Sequence, residues 1–193
     1  MSITCINRDK LEKFMKDNLK PRRYQHSLGV EQMATELATI YGADVEKAAF
    51  AGRYHDIAKG FDTDMMDSYI NKYGVDPRYL GNPALAHSKV AAAILSKDYG
   101  VVDEDILNAV KSHTTGRVGM SLLEEIVYVS DAIEYNRNYP ELEALQQEAR
   151  ENLDLACYHI MNFAVEMIME NGRELDEETI NAREFIKQRL KEI

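Results

Sequence analysis

Residues 26–40 read HSLGVEQMATELATI, and this stretch sets the pattern for the rest of the chain. Its apolar side chains recur three or four residues apart, at Val30, Met33, Leu37 and Ile40. That period places them on one face of an α-helix, and His26 lies on the same face, one turn before Val30. The stretch therefore predicts a helix that buries one apolar face and points an imidazole into the core.

The same period recurs along the chain and predicts an all-α fold. A later example is the face formed by Ile160, Phe163, Ala164, Met167 and Ile168. Prolines and glycines stand where the period pauses, as expected at helix starts and C-terminal caps. No segment alternates apolar and polar residues between hairpin turns, so a βαβ nucleotide-binding fold is not expected. We predict helices near residues 8–19, 22–41, 44–58, 63–73, 83–98, 103–113, 121–135, 141–150, 152–171 and 176–192.

Length and composition indicate one globular domain spanning residues 1–193, with 45% hydrophobic and 29% charged residues. The net charge of −10 argues against binding to nucleic acid polymers or anionic membranes. Charged residues predominate at positions 8–13, where a secretory leader would need an apolar run, so we expect no leader. We also find no apolar run long enough to span a bilayer. Cys5 and Cys157 are too few for a disulfide framework. We therefore expect a cytoplasmic protein with reduced thiols, and the sequence leaves its oligomeric state open.

Six polar side chains interrupt the apolar faces of five predicted helices. They are His26, His55, Asp56, His87, His113 and Asp131. A single histidine on an apolar face is usually a core residue with an ordinary hydrogen bond. Six inward polar groups need a common explanation, because unpaired polar groups are costly to bury. Convergence on metal ions would satisfy them together.

The ligand types indicate which ions such a site would hold. Imidazole and carboxylate without thiolate suit first-row metals such as iron, manganese, cobalt or zinc. Six ligands exceed what one catalytic ion with an open position takes, whereas two ions that share a carboxylate would use all six. His55 and Asp56 are adjacent, and on a helix they would diverge by roughly 100°. We interpret Asp56 as the bridging ligand.

Two glycines lie inside predicted helices close to these ligands. Gly29 follows His26 by three residues, and Gly52 precedes His55 by three. Glycine costs about 1 kcal/mol relative to alanine inside a helix, so each position has a compensating reason. Close helix approach around the ligands and plain packing explain the two glycines equally well.

The order of His26, His55-Asp56 and Asp131 resembles the H…HD…D signature of the HD superfamily of metal-dependent phosphohydrolases. Together with the two further histidines, the string SHTTGRVGMSL at residues 112–122 makes the chain similar to the YqeK family. The similarity runs from residue 23 to about residue 155. It implies a helical bundle of the HD-domain type that cleaves diadenosine tetraphosphate symmetrically into two ADP.

The resemblance also implies how the ligands divide between two divalent ions. One ion would be held by His26, His55, Asp56 and Asp131, and the other by Asp56, His87 and His113. The family implies a di-iron centre, with manganese or cobalt as alternatives. After Asp131 the family usually has a proline before its arginine, whereas this chain reads AIEYNR over residues 132–137.

The expected reaction is attack of a metal-bound water on a phosphorus of the polyphosphate bridge. Fixed cations would stabilise the charge that spreads over the phosphoryl oxygens. We interpret Asp56, Lys59 and Arg117 as catalytic residues. The predicted substrate contacts are Lys59, Thr114, Thr115, Gly116, Arg117 and Arg137. The predicted site does not include Arg22, Arg23 or His159.

Two other functions fit the same ligand pattern. Some HD-type proteins with a similar di-iron constellation are oxygenases, and the ligands alone do not separate them from hydrolases. A protein that binds a nucleotide without turnover, as a sensor, would retain the same pocket. For the hydrolase and for the sensor, the expected partner is a small-molecule dinucleoside polyphosphate or another nucleotide.

Overall fold

The computed structural model describes residues 6–172 and 175–191, which form ten α-helices and contain no strand. A short 3₁₀ turn, Pro77–Tyr79, lies between the fourth and fifth helices. The helices are α1 Arg8–Asn18, α2 Pro21–Tyr41, α3 Val45–Tyr54, α4 Thr63–Tyr73, α5 Pro83–Tyr99, α6 Glu104–Ser112, α7 Leu122–Ile133, α8 Leu142–Glu151, α9 Leu153–Glu170 and α10 Glu177–Arg189. The prediction of an all-α fold is confirmed.

Local capping explains where most helices begin and end. The side chain of Asp44 accepts a hydrogen bond from the Lys47 amide at the start of α3. Ser121 and Glu124 form a reciprocal capping box at the start of α7. Gly42 ends α2 with φ +71°, a left-handed conformation that favours glycine. These signals are visible in the sequence, so most predicted ends are close to the observed ones.

Helix α3 ends earlier than the sequence predicts, and this changes the geometry of two ligands. It stops at Tyr54 rather than near residue 58. Residues 55–60 then form tight turns, in which the Lys59 amide donates to Asp56 O at 2.9 Å. Gly60 seats these turns on the end of α1, because a Cβ there would lie 1.9 Å from Asn18 O. His55 and Asp56 therefore do not diverge around a helix as predicted, since Asp56 lies outside α3.

The core is centred on α2 and α7, which pack against each other and against α3. Helices α5 and α6 close one side, while α9 packs on α7 and is flanked by α8 and α10. Gly52 lets α3 approach α2 closely, because a Cβ there would lie 3.0 Å from Val30 O. Packing explains this glycine. Val30, Met33 and Leu37 are buried as predicted, whereas Ile40 is 46% exposed.

Helix α9 buries a different face from the one that the sequence predicts. Its buried residues are Leu153, Ala156, Cys157, Ile160, Met161 and Val165. From the predicted face, Phe163 is 54% exposed and Met167 is 45% exposed. The helix has two apolar faces, and packing on α7 and α10 selects the one that contains Cys157 and Met161.

Three sequence expectations concern the cysteines, the end of the last helix and membrane-spanning segments. Cys157 is a free, buried thiol, whereas Cys5 lies outside the described residues. The predicted end of the last helix at residue 192 also lies outside them. Among the described helices, none has both the length and the apolar character that crossing a bilayer requires.

Candidate metal centre

The six polar residues that interrupt the predicted helix faces meet in one place in the structure. Helices α2, α5 and α7 supply His26, His87 and Asp131, respectively. The turn after α3 supplies His55 and Asp56, and His113 caps the end of α6. All are buried except Asp131, whose side chain is 24% exposed. The fold thus places the whole predicted ligand set at the junction of five helices.

The carboxylate of Asp56 lies at the centre of this cluster and faces ligands on both sides. Its Oδ2 is 3.5 Å from His55 Nε2 and 3.9 Å from His26 Nε2. Its Oδ1 is 3.3 Å from the Nε2 atoms of both His87 and His113. Asp131 Oδ1 completes the first side, at 2.9 Å from His26 Nε2 and 3.8 Å from His55 Nε2.

The cluster fits divalent cations because three of its buried polar atoms lack a hydrogen-bond partner in the described part of the chain. His55 Nε2 and Asp56 Oδ1 are buried and have no hydrogen-bond partner within residues 6–172 or 175–191. His26 Nε2 is a third buried atom without a hydrogen-bond partner in the same residues. Orphaned lone pairs at this depth are expensive unless a cation accepts them. Ligand atoms of two sets, His26–His55–Asp131 and His55–Asp56–His113, each lie within 4.8 Å of one another.

Backbone carbonyls orient two of the histidines. The last carbonyls of a helix lack partners inside the helix. His55 and His113 each come directly after the last residue of a helix, α3 and α6 respectively. His55 Nδ1 donates to Gly52 O at 2.7 Å, and His113 Nδ1 donates to Val110 O at 2.7 Å. A proton on Nδ1 leaves the Nε2 lone pair directed at the cluster, which is the arrangement common in metal-binding histidines.

The third histidine is oriented by a residue that the sequence analysis missed. Glu134 lies just beyond α7, and its Oε1 is 3.1 Å from His26 Nδ1. Gly29 makes room for this carboxylate, because a Cβ there would lie 1.9 Å from Glu134 Oε2. The spacing of Glu134, one turn after Asp131, is the only sequence signal for its role. Gly29 therefore serves the ligand cluster, whereas Gly52 serves helix packing.

His87 is held differently from the other three histidines. Its Nε2 is 3.2 Å from Lys59 Nζ and 3.1 Å from Thr114 Oγ1. No backbone carbonyl of the described chain is within hydrogen-bonding distance of its ring nitrogens. Side chains alone therefore set the orientation of this ring.

Burial and charge shift the pKa values of several groups in the cluster. Burial lowers the pKa of His113 to about 4, so this imidazole is neutral near pH 7 and available as a ligand. Burial would raise the pKa of Asp56, but the surrounding histidines hold it well below its ordinary value, so the carboxylate is ionised. Burial lowers the pKa of the Lys59 ammonium group, which the nearby carboxylates only partly oppose.

Three cationic side chains lie beside the cluster and line a cavity of 720 Å³. Lys59 and Arg137 were predicted there, and Arg137 Nη2 donates to Asp131 Oδ1 at 2.9 Å. Arg23, which the predicted site omits, donates from Nη1 to Asp56 Oδ2 at 3.0 Å. It lies three residues before His26, so the helix period places both on one face of α2. Thr114, a predicted substrate contact, also lines the cavity.

The structure gives Arg117 a different place from the predicted phosphate contact. Its guanidinium forms a two-pronged ion pair with the buried carboxylate of Glu124, with both N–O distances 2.6 Å. Arg117 is not among the residues that line the cavity. It joins the loop after α6 to the first turn of α7.

Thr115 and Gly116 also lie away from the cavity. The Thr115 hydroxyl donates to Glu178 Oε2 at 2.9 Å, which ties the loop to α10. The Gly116 amide donates to Ser112 O at 2.7 Å and is not available to a phosphate. A Cβ on Gly116 would lie 2.5 Å from Met161 Cε, so packing on α9 explains this glycine. Residues 112–122, which carry the family resemblance, therefore mostly stabilise the packing of the loop after α6.

The far half of the same cavity is lined by α8, α9 and the loop before them. It contains the aromatic rings of Tyr139 and Phe163 and the pair Glu148–His159, in which His159 Nδ1 is 2.8 Å from Glu148 Oε2. The predicted site omits His159 because it is remote in sequence from the ligands. The structure places it on the wall of the cavity.

Comparisons with known proteins show the family to which the chain belongs. The family model of the HD domain matches the sequence over residues 23–136. The chain is 34% identical over 176 residues to "Bis(5'-nucleosyl)-tetraphosphatase, symmetrical" of Halalkalibacterium halodurans, covering 91% of this chain and 94% of the relative. It is 36% identical over 169 residues to the protein of that name from Bacillus subtilis, covering 87% and 91%.

A solved structure shows the same fold. The crystal structure of a predicted HD superfamily hydrolase involved in NAD metabolism, from Clostridium acetobutylicum, superposes with a TM-score of 0.89 at 36% sequence identity. The match covers 95% of this chain and 98% of that one.

Proposed function

The chain belongs to the HD-domain family, among the symmetrical bis(5′-nucleosyl)-tetraphosphatases, and from this membership we propose that it hydrolyses diadenosine tetraphosphate to two ADP. The observation that carries the proposal is the position of Asp56, whose two oxygens face two separate groups of ligands. A carboxylate in that position can be shared by two cations.

The ions proposed for this centre are two first-row divalent metals, with iron first and manganese or cobalt as alternatives. His26, His55, Asp56 and Asp131 would hold one, and Asp56, His87 and His113 the other. Bound there, the ions would polarise a phosphoryl oxygen and lower the pKa of a water near the phosphorus. The absence of thiolate from the ligand set supports a site for chemistry rather than a structural zinc site.

The chain's own cations would bind the polyphosphate and stabilise the charge on it. Lys59, Arg137 and Arg23 converge on the cavity wall beside Asp56 and Asp131. In the transition state the phosphoryl oxygens gain negative charge. Cationic donors that are already fixed beside these oxygens therefore stabilise the transition state more than the ground state. Lys59 Nζ can also donate a hydrogen bond to the departing diphosphate. Arg23 takes the place in this account that the sequence analysis gave to Arg117.

We also propose that the chain acts as one domain, on a small-molecule nucleotide, in the cytoplasm. Helices α8 and α9 support the first point, because they close the cavity that the HD-type ligands open into. The ion pair of Lys89 with Glu178, at 2.8 Å, supports it further by joining α10 to α5.

Product identification tests the proposal. Protein loaded with iron, manganese or cobalt is incubated with diadenosine tetraphosphate, and the nucleotides are separated by chromatography. Two equivalents of ADP are expected, whereas AMP with ATP would contradict symmetrical cleavage. Repeating the assay without dioxygen separates hydrolase from oxygenase, because hydrolysis is expected to be undiminished. Stoichiometric binding without turnover would instead support the nucleotide sensor.

A further inference from the structure

The half of the cavity away from the metal ligands is built by matching faces of two helices. From α8 and its cap come Glu141, Ala144, Leu145 and Glu148, and from α9 come His159, Ile160 and Phe163. Both sets have the spacing of one helix face. This wall contains none of the predicted ligands or cations, so the proposed chemistry leaves it without a role.

The wall combines apolar surface with an aromatic ring that the fold leaves open. Phe163 lines the cavity and is 54% exposed, although the apolar face it belongs to continues from the buried Ile160. Leu145 and Tyr139 lie on the same wall. A flat ring on such a surface is a platform on which a nucleic acid base can stack.

The polar groups of the wall differ in sign from those near the metal ligands. Glu141 and Glu148 are carboxylates, whereas Arg23, Lys59 and Arg137 line the other half. A polyphosphate is attracted to the cationic half and repelled from the acidic one. A molecule that fills the whole cavity would therefore place its phosphates by Asp56 and an uncharged part against α8 and α9.

Glu148 is also positioned to accept a hydrogen bond from that uncharged part. His159 Nδ1 contacts its Oε2 at 2.8 Å and fixes the orientation of the carboxylate. Its Oε1 accepts no hydrogen bond from residues 6–172 or 175–191. The side chain of Glu148 is 24% exposed and lines the cavity, so a ligand there can reach the carboxylate.

We propose that the α8–α9 wall is a nucleoside subsite, in which Phe163 stacks on the base and Glu148 accepts a hydrogen bond from the nucleoside. The donor is the ribose 2′-hydroxyl or a base amino group. His159 is a positioning residue that acts through Glu148. The inference rests on the proposed function, which sets the direction in which the polyphosphate lies in the cavity. It adds the residues that recognise the nucleoside attached to the polyphosphate.

The test compares two ligands that differ only by the nucleoside. Metal-loaded protein is titrated by calorimetry with ADP and with pyrophosphate, for the wild type, Phe163→Ala and Glu148→Gln. The Kd for ADP is expected to rise roughly tenfold in each variant, since base stacking and one charged hydrogen bond each have about this effect. The Kd for pyrophosphate is expected to be unchanged. Unchanged ADP affinity, or an equal loss for both ligands, would overturn the subsite.

Matched controls exclude a general effect on the two helices. Met167→Ala truncates another exposed apolar residue of α9, and Glu143→Gln removes another exposed carboxylate of α8. Neither residue lines the cavity, so both variants should bind ADP like the wild type. If the controls lose as much ADP affinity as Phe163→Ala and Glu148→Gln, the proposed contacts are refuted.

Two further measurements test the Glu148 contact and the role of His159. Wild-type protein should bind either 2′-deoxy-ADP or IDP more weakly than ADP, and Glu148→Gln should remove that difference. If both analogues bind like ADP, the contact is wrong. His159→Ala should weaken ADP binding in the wild type but not in the Glu148→Gln background, and additive losses would contradict a role through Glu148.

The titrations do not depend on turnover. Failure of the proposed function would appear as metal-loaded wild type that releases no ADP from diadenosine tetraphosphate. Failure of the subsite would appear as variants that bind ADP as the wild type does.

Discussion

The two groups of ligands on either side of Asp56 are anchored differently. In the first group, His26 and His55 each use Nδ1 to contact a fixed acceptor, Glu134 or Gly52 O. In the second group, His113 has such an anchor but His87 contacts only side chains. The first group is therefore preorganised, whereas the second can adjust when a ligand moves Lys59 or Thr114. We expect the first group to bind its ion more tightly than the second.

The largest expected effect comes from removing the residue that both groups share. Asp56→Ala should lose both ions and reduce hydrolysis by roughly a thousandfold or more, because the carboxylate proposed to be shared by the two ions is gone. Metal content by mass spectrometry and ADP release check it, with Asp64→Ala, an exposed carboxylate of α4, as control. A fully metallated, active Asp56→Ala protein would show that Asp56 is not the bridge.

The comparison between the groups predicts unequal losses from two histidine variants. His55→Ala should retain less metal than His87→Ala, because His55 Nε2 lies close to the ligand atoms of both groups. His87→Ala should keep about one ion per chain under the same loading conditions. Metal content after gel filtration measures this. Equal loss in the two variants, or greater loss in His87→Ala, would remove the distinction between the groups.

A smaller effect is expected from the residues that orient His26. Glu134→Gln removes the charge that faces His26 Nδ1, and Gly29→Ala forces the same carboxylate away. Each should weaken metal binding by about ten- to a hundredfold, which is the usual range for partners of metal-binding histidines. Competition with a chelator measures the affinity, and Glu143→Gln is the control. Wild-type affinity in both variants would show that His26 needs no anchor.

The smallest expected effect on the metal centre comes from Arg117, which contacts neither group. Arg117→Ala leaves the buried carboxylate of Glu124 without its ion-pair partner. The free energy of unfolding should fall by about 1–2 kcal/mol, less than for a fully buried pair because the Arg117 side chain is 41% exposed. Denaturant titration measures it, and metal content should stay at the wild-type value. If the variant lost metal but kept its stability, Arg117 would have a role in the metal centre and not in the fold.

Much of this arrangement could be predicted from the sequence. The helix period fixes which side chains face inward, so the convergence of His26, His87 and Asp131 follows once those helices pack together. The resemblance to the HD family rests on the same residues, and the HD-domain match confirms it.

Other features depend on contacts that no local pattern specifies. The end of α3 at Tyr54 depends on how residues 55–60 seat against α1. The partner of Arg117 is Glu124, seven residues later and across a turn, whereas the position of Arg117 in the loop directly after His113 suggested a phosphate contact. The choice between the two apolar faces of α9 depends on α7 and α10.

Anomalous X-ray diffraction from crystals loaded with iron or manganese locates each ion, so it tests most directly whether one ion lies on each side of Asp56. Two peaks are expected, the first among His26, His55 and Asp131 and the second beside His87 and His113. A single peak, or peaks away from Asp56, would contradict this arrangement.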